Sequence, residues 1–261
     1  YYHPRVVQLT EEEQKKYNSI SKQLMRFIDS QTGQYKKSKE VEILLLKRKR
    51  IIHKAENKII AFRKILREEF SKKGSLKYSL VYTPEGVVEN SNNLSDQYIE
   101  NEDDLKLINT FTKEVRDVDP FLMVKKFTAE IKNRDAVLKQ YAQGEIDVLT
   151  SMKCLDEGVD VPRSELAIFC SSTGNPRQFI QRRGRVLRLA QGKLIATVYD
   201  LVVIPKPLED GGSSFQKSLV LSELRRVVNF SSLSENKSET FEVFNNICDE
   251  YGINLYELEK E

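Results

Sequence analysis

The stretch Pro-Arg-Gln-Phe-Ile-Gln-Arg-Arg-Gly-Arg-Val-Leu-Arg, residues 176–188, decides how the chain is read. Gly174-Asn175-Pro176 is a helix start: Asn175 suits the N-cap and Pro176 the first helical position. On the helix that follows, Gln178, Gln181, Arg185 and Arg188 are spaced 3, 4 and 3 and share one face. Ile180, Val186 and Leu187 fall largely on other faces and are expected to anchor it. Gly184 costs about 1 kcal/mol in a helix interior, which makes sense where another group approaches the backbone closely. Two arginines one turn apart, beside a glycine and a glutamine, form a planar-donor fork suited to phosphate oxygens. Taken by itself, the stretch also fits a basic solvated helix or a nuclear-localisation-like patch.

Residues 147–162 precede it and read Asp-Val-Leu-Thr-Ser-Met-Lys-Cys-Leu-Asp-Glu-Gly-Val-Asp-Val-Pro, an apolar strand entering an acidic, Gly-containing loop. Together the two stretches resemble motifs V and VI of superfamily 2 helicases and translocases. Gln-Arg-Arg-Gly-Arg-Val-Leu-Arg is similar to the XPB type of motif VI, and Asp-Glu-Gly-Val-Asp-Val-Pro to that group's motif V. The two stand in the family's order, about 20 residues apart.

Composition narrows the class without naming a partner. The chain has 261 residues and a formal net charge of +3. It starts Tyr1-Tyr2-His3-Pro4 without Met and is expected to be a fragment. Residues 36–73 hold 14 Lys and Arg against 5 Asp and Glu, so the remainder is net acidic. Such asymmetry suits a polyanion partner on one part of the surface, or a solvated helical face. The three cysteines, Cys154, Cys170 and Cys248, lie far apart with no metal-type spacing, which suggests a reduced, cytoplasmic chain. No apolar run approaches the length of a membrane span, and no signal-peptide pattern is present.

Along the chain, residues 1–9 read as extended. Thr10-Glu11-Glu12-Glu13 is a capping box opening a helix with Tyr17, Ile20, Leu24 and Phe27 inward. A single longer helix is expected to carry Leu45, Ile52, Ala55, Ile59, Phe62 and Leu66, with His53 at the edge of that stripe. The two helices would form an antiparallel arm or connector over 1–74, ended by Gly74. Short apolar strands then alternate with helices. Strands are expected at 78–82, 121–127, 147–150, 166–170 and 194–204. Helices are expected at 103–116 and 134–143, the latter ending at Gly144, and again at the arginine stretch. This alternation predicts an α/β fold: a parallel sheet with helices on both faces, over 75–205. Residues 206–261 hold a linker and closing helices packed on that domain.

The resemblance implies more. The sheet domain would be the second RecA-like domain of a DNA motor, with the leading segment similar to the connector of restriction-type and XPB-like proteins. Phosphoryl transfer needs charge stabilisation on the γ-phosphate. By motif match, Arg185 and Arg188 would be arginine fingers and Gln181 would couple the nucleotide to the domain cleft. Arg182 would touch the nucleotide or pair with acids across the cleft. Gly158 would let the loop approach the nucleotide, and Asp160 would accept from ribose or a cleft arginine. Glu157 joins them, or is an ordinary turn acid. Thr150 and Ser151 end a strand where the family contacts nucleic-acid phosphates, with the register open by one residue. Thr83 and Thr128 match further backbone-contact positions, and Arg134 resembles the motif IVa arginine. The chain has no Gly-x-x-x-x-Gly-Lys-Ser/Thr loop and no Asp-Glu-x-His or Asp-Glu-Ala-Asp box. ATP with Mg²⁺ would therefore rest on an N-terminal RecA-like domain outside this sequence, and no metal ligand is expected here. The partner is expected to be nucleic acid, double-stranded DNA before RNA. Two alternatives stay open: a non-catalytic binding module of the same fold, and a translocase subunit of a restriction or defence system.

Overall fold

The structure is a computed structural model that describes residues 1–29, 34–84, 102–128, 130–152, 161, 163–171, 176–208 and 213–260. Six strands, β1 (Tyr2–Val7), β2 (Ser79–Tyr82), β3 (Val124–Phe127), β4 (Val148–Ser151), β5 (Leu166–Phe169) and β6 (Thr197–Val203), form one sheet in the order β1-β6-β5-β2-β4-β3. Every neighbouring pair is parallel. The central strands are buried on both faces, as their unbroken apolar runs require.

Helices cover both faces. On one lie α3 (Asn57–Lys73) and α4 (Glu102–Arg116), with Phe62, Ile65, Leu66, Phe111 and Val115 against Val81, Val148 and Ile168. On the other lie α5 (Arg134–Gln143), α6 (Pro176–Val186) and α7 (Ser213–Ser231), with Tyr141, Val186, Val220 and Leu224 against Leu80, Leu149 and Ala167. Three short helices, α8 (Lys237–Glu242), α9 (Asn245–Tyr251) and α10 (Leu255–Leu258), complete that layer.

Helix α1 (Glu11–Met25) starts on the expected capping box: Thr10 Oγ1 accepts from Glu13 N, and Glu13 Oε2 accepts from Thr10 N. The helix after it differs from expectation. It is two helices, α2 (Lys39–His53) and α3, broken at Lys54–Glu56. No Gly or Pro marks the break. Glu13 supplies the cause, because its Oε1 accepts from Glu56 N at 3.0 Å while its other oxygen serves Thr10. His53, expected at the stripe's edge, is buried. Nor is the leading segment a free arm. β1 pairs with β6 along its whole length, and α3 lies on the sheet, so the structure runs through the boundary expected at Gly74. Part of its charge is also used internally: Arg63 pairs with Glu114 at 2.6 Å, and Lys73 and Lys72 pair with Glu69 at 2.9 and 3.2 Å.

Gly74 and Gly144 end α3 and α5 in the left-handed region, at φ +64° and +75°. Two strands are shorter than their apolar runs. Phe121 and Met123 are exposed before β3, and Leu194 and Ile195 before β6. Among the described residues, no helix is long and apolar enough to cross a membrane.

Candidate functional site

Helix α6 follows β5 and leads back to β6, so it starts beyond the carboxyl end of the sheet. Its seating reverses the sequence expectation in part. Val186 is buried, but Ile180 and Leu187 are each 43% exposed. Arg182 is fully buried and Arg185 is 7% exposed, while Gln181, Gly184 and Arg188 face solvent. The expected row of Gln181, Arg185 and Arg188 is therefore divided. Among the described side chains of α6, Arg182 and Arg185 are buried together with Val186, so guanidinium groups share the seating of the helix.

Aromatic rings make that possible. Tyr82 and Phe169, at the ends of β2 and β5, stack with centroids 4.8 Å apart and planes at 2°. The Arg182 guanidinium sits 5.1 Å from the Tyr82 ring, and its Nη1 donates to Ser171 Oγ at 3.2 Å. A guanidinium is weakly hydrated and flat, so a ring face and a hydroxyl can replace its water. Arg182, expected at the nucleotide or against acids across the cleft, has no solvent face here and ties α6 to the sheet. Arg183 does the same toward α7. Its Nη1 donates to the Asn229 carbonyl and to Asn229 Oδ1, both at 2.6 Å, and it lies 5.5 Å from the Phe230 ring. Burial lowers its pKa.

The end of α6 is closed by a residue the sequence reading missed. Lys193 Nζ donates to the carbonyl oxygens of Val186 and, at 2.9 Å, Arg188. A lysine there satisfies orphan carbonyls and suits the negative end of the helix dipole. It returns through a turn at Gly192, whose φ is +78°. The Gly192-Lys193 pair is the only signal the sequence offers for it. Over Gly184, a Cβ would meet nothing within 4 Å, so the space above that backbone is open.

The expected phosphate-contact residues gather at the carboxyl ends of three adjacent strands. Tyr82 and Phe127 both align with Ser151, which puts Thr83 and Thr128 on either side of Met152. Thr83 donates both its N–H and its hydroxyl to the Ser151 carbonyl, at 2.8 and 3.2 Å. Ser151 Oγ is buried and has no hydrogen-bond partner among the described residues. Thr150 turns the other way. Its hydroxyl lies 2.8 Å from that of Thr112, which itself donates to the Ile108 carbonyl at 2.7 Å. Thr112 has one proton to give, so Thr150 is the donor of the pair. The register left open in the sequence is thereby decided: Thr150 faces α4, and a phosphate contact by its hydroxyl is corrected to an internal one. Thr128 is 8% exposed, and Arg134 is partly exposed with its guanidinium 5.7 Å from the Phe127 ring. Glu157, Gly158 and Asp160 lie outside the described residues. No group of three or more His, Cys, Asp or Glu that would hold a metal occurs among the described residues.

Residues 97–190 match the family described as the helicase conserved C-terminal domain. Over that span the chain is similar to the C-terminal helicase domains of superfamily 2, and its fold is the RecA-like α/β fold. It is 27% identical over 198 residues to the DNA 3'-5' translocase XPB2 of Sulfurisphaera tokodaii, an alignment covering 70% of this chain and 38% of that protein. It is 30% identical over 117 residues to Dicer-like protein 2 of Phaeosphaeria nodorum, covering 43% of this chain and 8% of that protein. The chain thus spans well under half the length of either relative. In fold it resembles the Sulfolobus solfataricus SWI2/SNF2 ATPase core in complex with dsDNA, with a TM-score of 0.50, 16% identity, and 92% of this chain and 49% of that one covered. The C-terminal part of the Fun30 ATPase domain gives a TM-score of 0.50 at 14% identity, covering 78% and 84%.

Proposed function

We propose that this chain is the C-terminal motor half of an ATP-dependent superfamily 2 helicase or translocase that acts on double-stranded DNA. ATP and Mg²⁺ would be held by an N-terminal RecA-like domain of the same full-length protein, since the sequence given has neither a Walker loop nor an acidic box. Bound there, the nucleotide supplies the phosphoryl group whose transfer drives the cycle.

The observation that carries this reading is the stripe of α6 formed by Gln181, Gly184 and Arg188. It is polar and exposed, and the backbone at Gly184 is open. Ile180 and Leu187 flank it as apolar surface that a second domain would cover. In this reading Arg188 reaches the γ-phosphate, and Gln181 reports cleft closure. Arg185, nearly buried, acts at the base of the same site as the second finger. Gly158, Asp160 and Glu157 approach the nucleotide from the preceding loop. Ser151, Thr83, Thr128 and Arg134 line the strand ends along which a nucleic-acid backbone would pass. Such contacts are to phosphates and carry little sequence preference.

The test is ATP hydrolysis by the full-length protein with and without duplex DNA. DNA-stimulated hydrolysis supports the motor. Tight DNA binding without hydrolysis would replace it with a non-catalytic binding module. Triplex displacement without strand separation would assign translocation of the kind a restriction or defence system uses.

A further inference from the structure

We propose that the cleft between α2 and α7 binds an oxyanion of the phosphate class. A cavity of about 280 Å³ lies there, lined on one side by Arg48, Lys49 and His53 of α2 and on the other by Ser218, Ser222 and Glu223 of α7. Its lining shares no residue with α6.

Two of its polar side chains are deeply buried, each with one nitrogen that meets no partner among the described residues. Arg48 is 4% exposed and His53 is 5% exposed. Neither Arg48 Nε nor His53 Nδ1 has a hydrogen-bond partner among the described residues. Arg48 lies over the Tyr17 ring at 5.8 Å, which offers an attractive face and no acceptor lone pair. Leaving a guanidinium N–H buried without an acceptor is destabilising, and such groups in folded proteins are normally matched.

The surrounding charge is of one predominant sign. Behind His53, the buried Lys58 donates to the His53 carbonyl at 2.9 Å. Burial and the cations Lys58, Lys49 and Arg226 lower the His53 pKa well below 6.5, so its ring is neutral at pH 7. The carboxylate on the lining, Glu223, is taken by Arg226 Nη2 at 2.7 Å, and Arg226 also faces Asp200 at 3.3 Å. An oxyanion in the cleft would give Arg48 its acceptors. The neutral imidazole can donate from Nδ1, and the two serine hydroxyls can donate from the rim. A tetrahedral oxyanion suits donors arriving from two walls, and the volume admits a phosphate with part of an ester group.

The test uses the 261-residue chain in phosphate-free buffer. Inorganic phosphate is expected to raise the melting temperature saturably, beyond the effect of chloride at equal ionic strength. Labelled phosphate should bind in equilibrium dialysis, and Arg48→Met should weaken it by about tenfold or more. Should Arg48→Met fail to fold, Ser222→Glu sets a carboxylate on the exposed rim and should abolish binding while the chain stays folded. The same melting rise with chloride, or unchanged binding in the folded variant, overturns the site. Competition then assigns the source. Displacement by a short DNA duplex identifies a nucleic-acid backbone, and displacement only by free phosphate or a mononucleotide identifies a small anion.

Discussion

Arginine is buried on α2, α6 and α7, and the last two helices solve its burial differently. On α6, Arg182 rests on the Tyr82 ring and a serine hydroxyl, and Arg183 rests on Phe230 and the amide of Asn229. On α7, Arg226 is held by carboxylates, Asp200 at 3.3 Å and Glu223 at 2.7 Å. Asp200 in turn accepts from Tyr2 Oη at 2.8 Å, which ties β1 into the same group. A guanidinium on rings and neutral acceptors keeps its full positive charge, and so does the helix that carries it. A guanidinium between carboxylates is neutralised as a unit. The first arrangement leaves a cationic helix to meet an anion from outside; the second closes the interior.

The largest expected effect tests the outward end of α6. In the full-length protein, Arg188→Ala should lower kcat for ATP hydrolysis on the order of 10³-fold, with little change in stability because the side chain is exposed. Arg185→Ala should lose rate and also destabilise the fold by about 2 kcal/mol, since its guanidinium is buried. Wild-type hydrolysis by Arg188→Ala would break the contrast. Next comes the interior pair. Asp200→Ala should cost about 3 kcal/mol in urea unfolding, the lower end for a broken buried pair, because Arg226 keeps Glu223. A change under about 1 kcal/mol would show that Asp200 is not what compensates Arg226.

Titration sharpens the same comparison at Lys58, whose burial lowers its pKa from 10.5 to about 8. Between those values the unfolded chain holds a proton that the folded chain has given up, so the contribution of Lys58 to stability rises with pH. The buried Cys170 thiol and Tyr2 phenol have raised pKa values and act in the opposite direction at higher pH. Lys58→Met isolates the lysine. Its stability relative to the native chain should fall as pH rises from about 8 toward 10.5, measured by urea unfolding; a difference independent of pH would refute the assignment.

Much of the architecture was legible because its determinants are local. Thr10 and Glu13 mark the start of α1, Gly74 and Gly144 the ends of α3 and α5, and apolar runs the central strands. What escaped the reading depends on contacts distant in sequence. The break before α3 is set by Glu13 reaching Glu56, 43 positions away, and the apolar stripe runs through it at Ala55 without interruption. The seating of α6 escaped because periodicity counts Ile180 and Leu187 as anchors, whereas stacking on Tyr82 and Phe230 is invisible until strands and helices meet. The division of Thr150 from Ser151 needed the sheet register. Motif VI was legible as a motif; which of its arginines faces outward was not.

The smallest effect probes how α6 is latched to α7. Arg183 Nη1 donates to two acceptors on Asn229, one on the backbone and one on the side chain. Asn229→Ala removes only the side-chain acceptor, and should cost about 0.5–1.5 kcal/mol. Arg183→Ala removes both bonds and the contact with Phe230, and should cost more. If the two changes act through one latch, the double variant should be no less stable than Arg183→Ala by more than a few tenths of a kcal/mol. Full additivity would mean that Asn229 stabilises α7 on its own account. In that case the bond from Arg183 to the Asn229 carbonyl, rather than the one to its amide, would be what links α7 to the helix that carries Arg188.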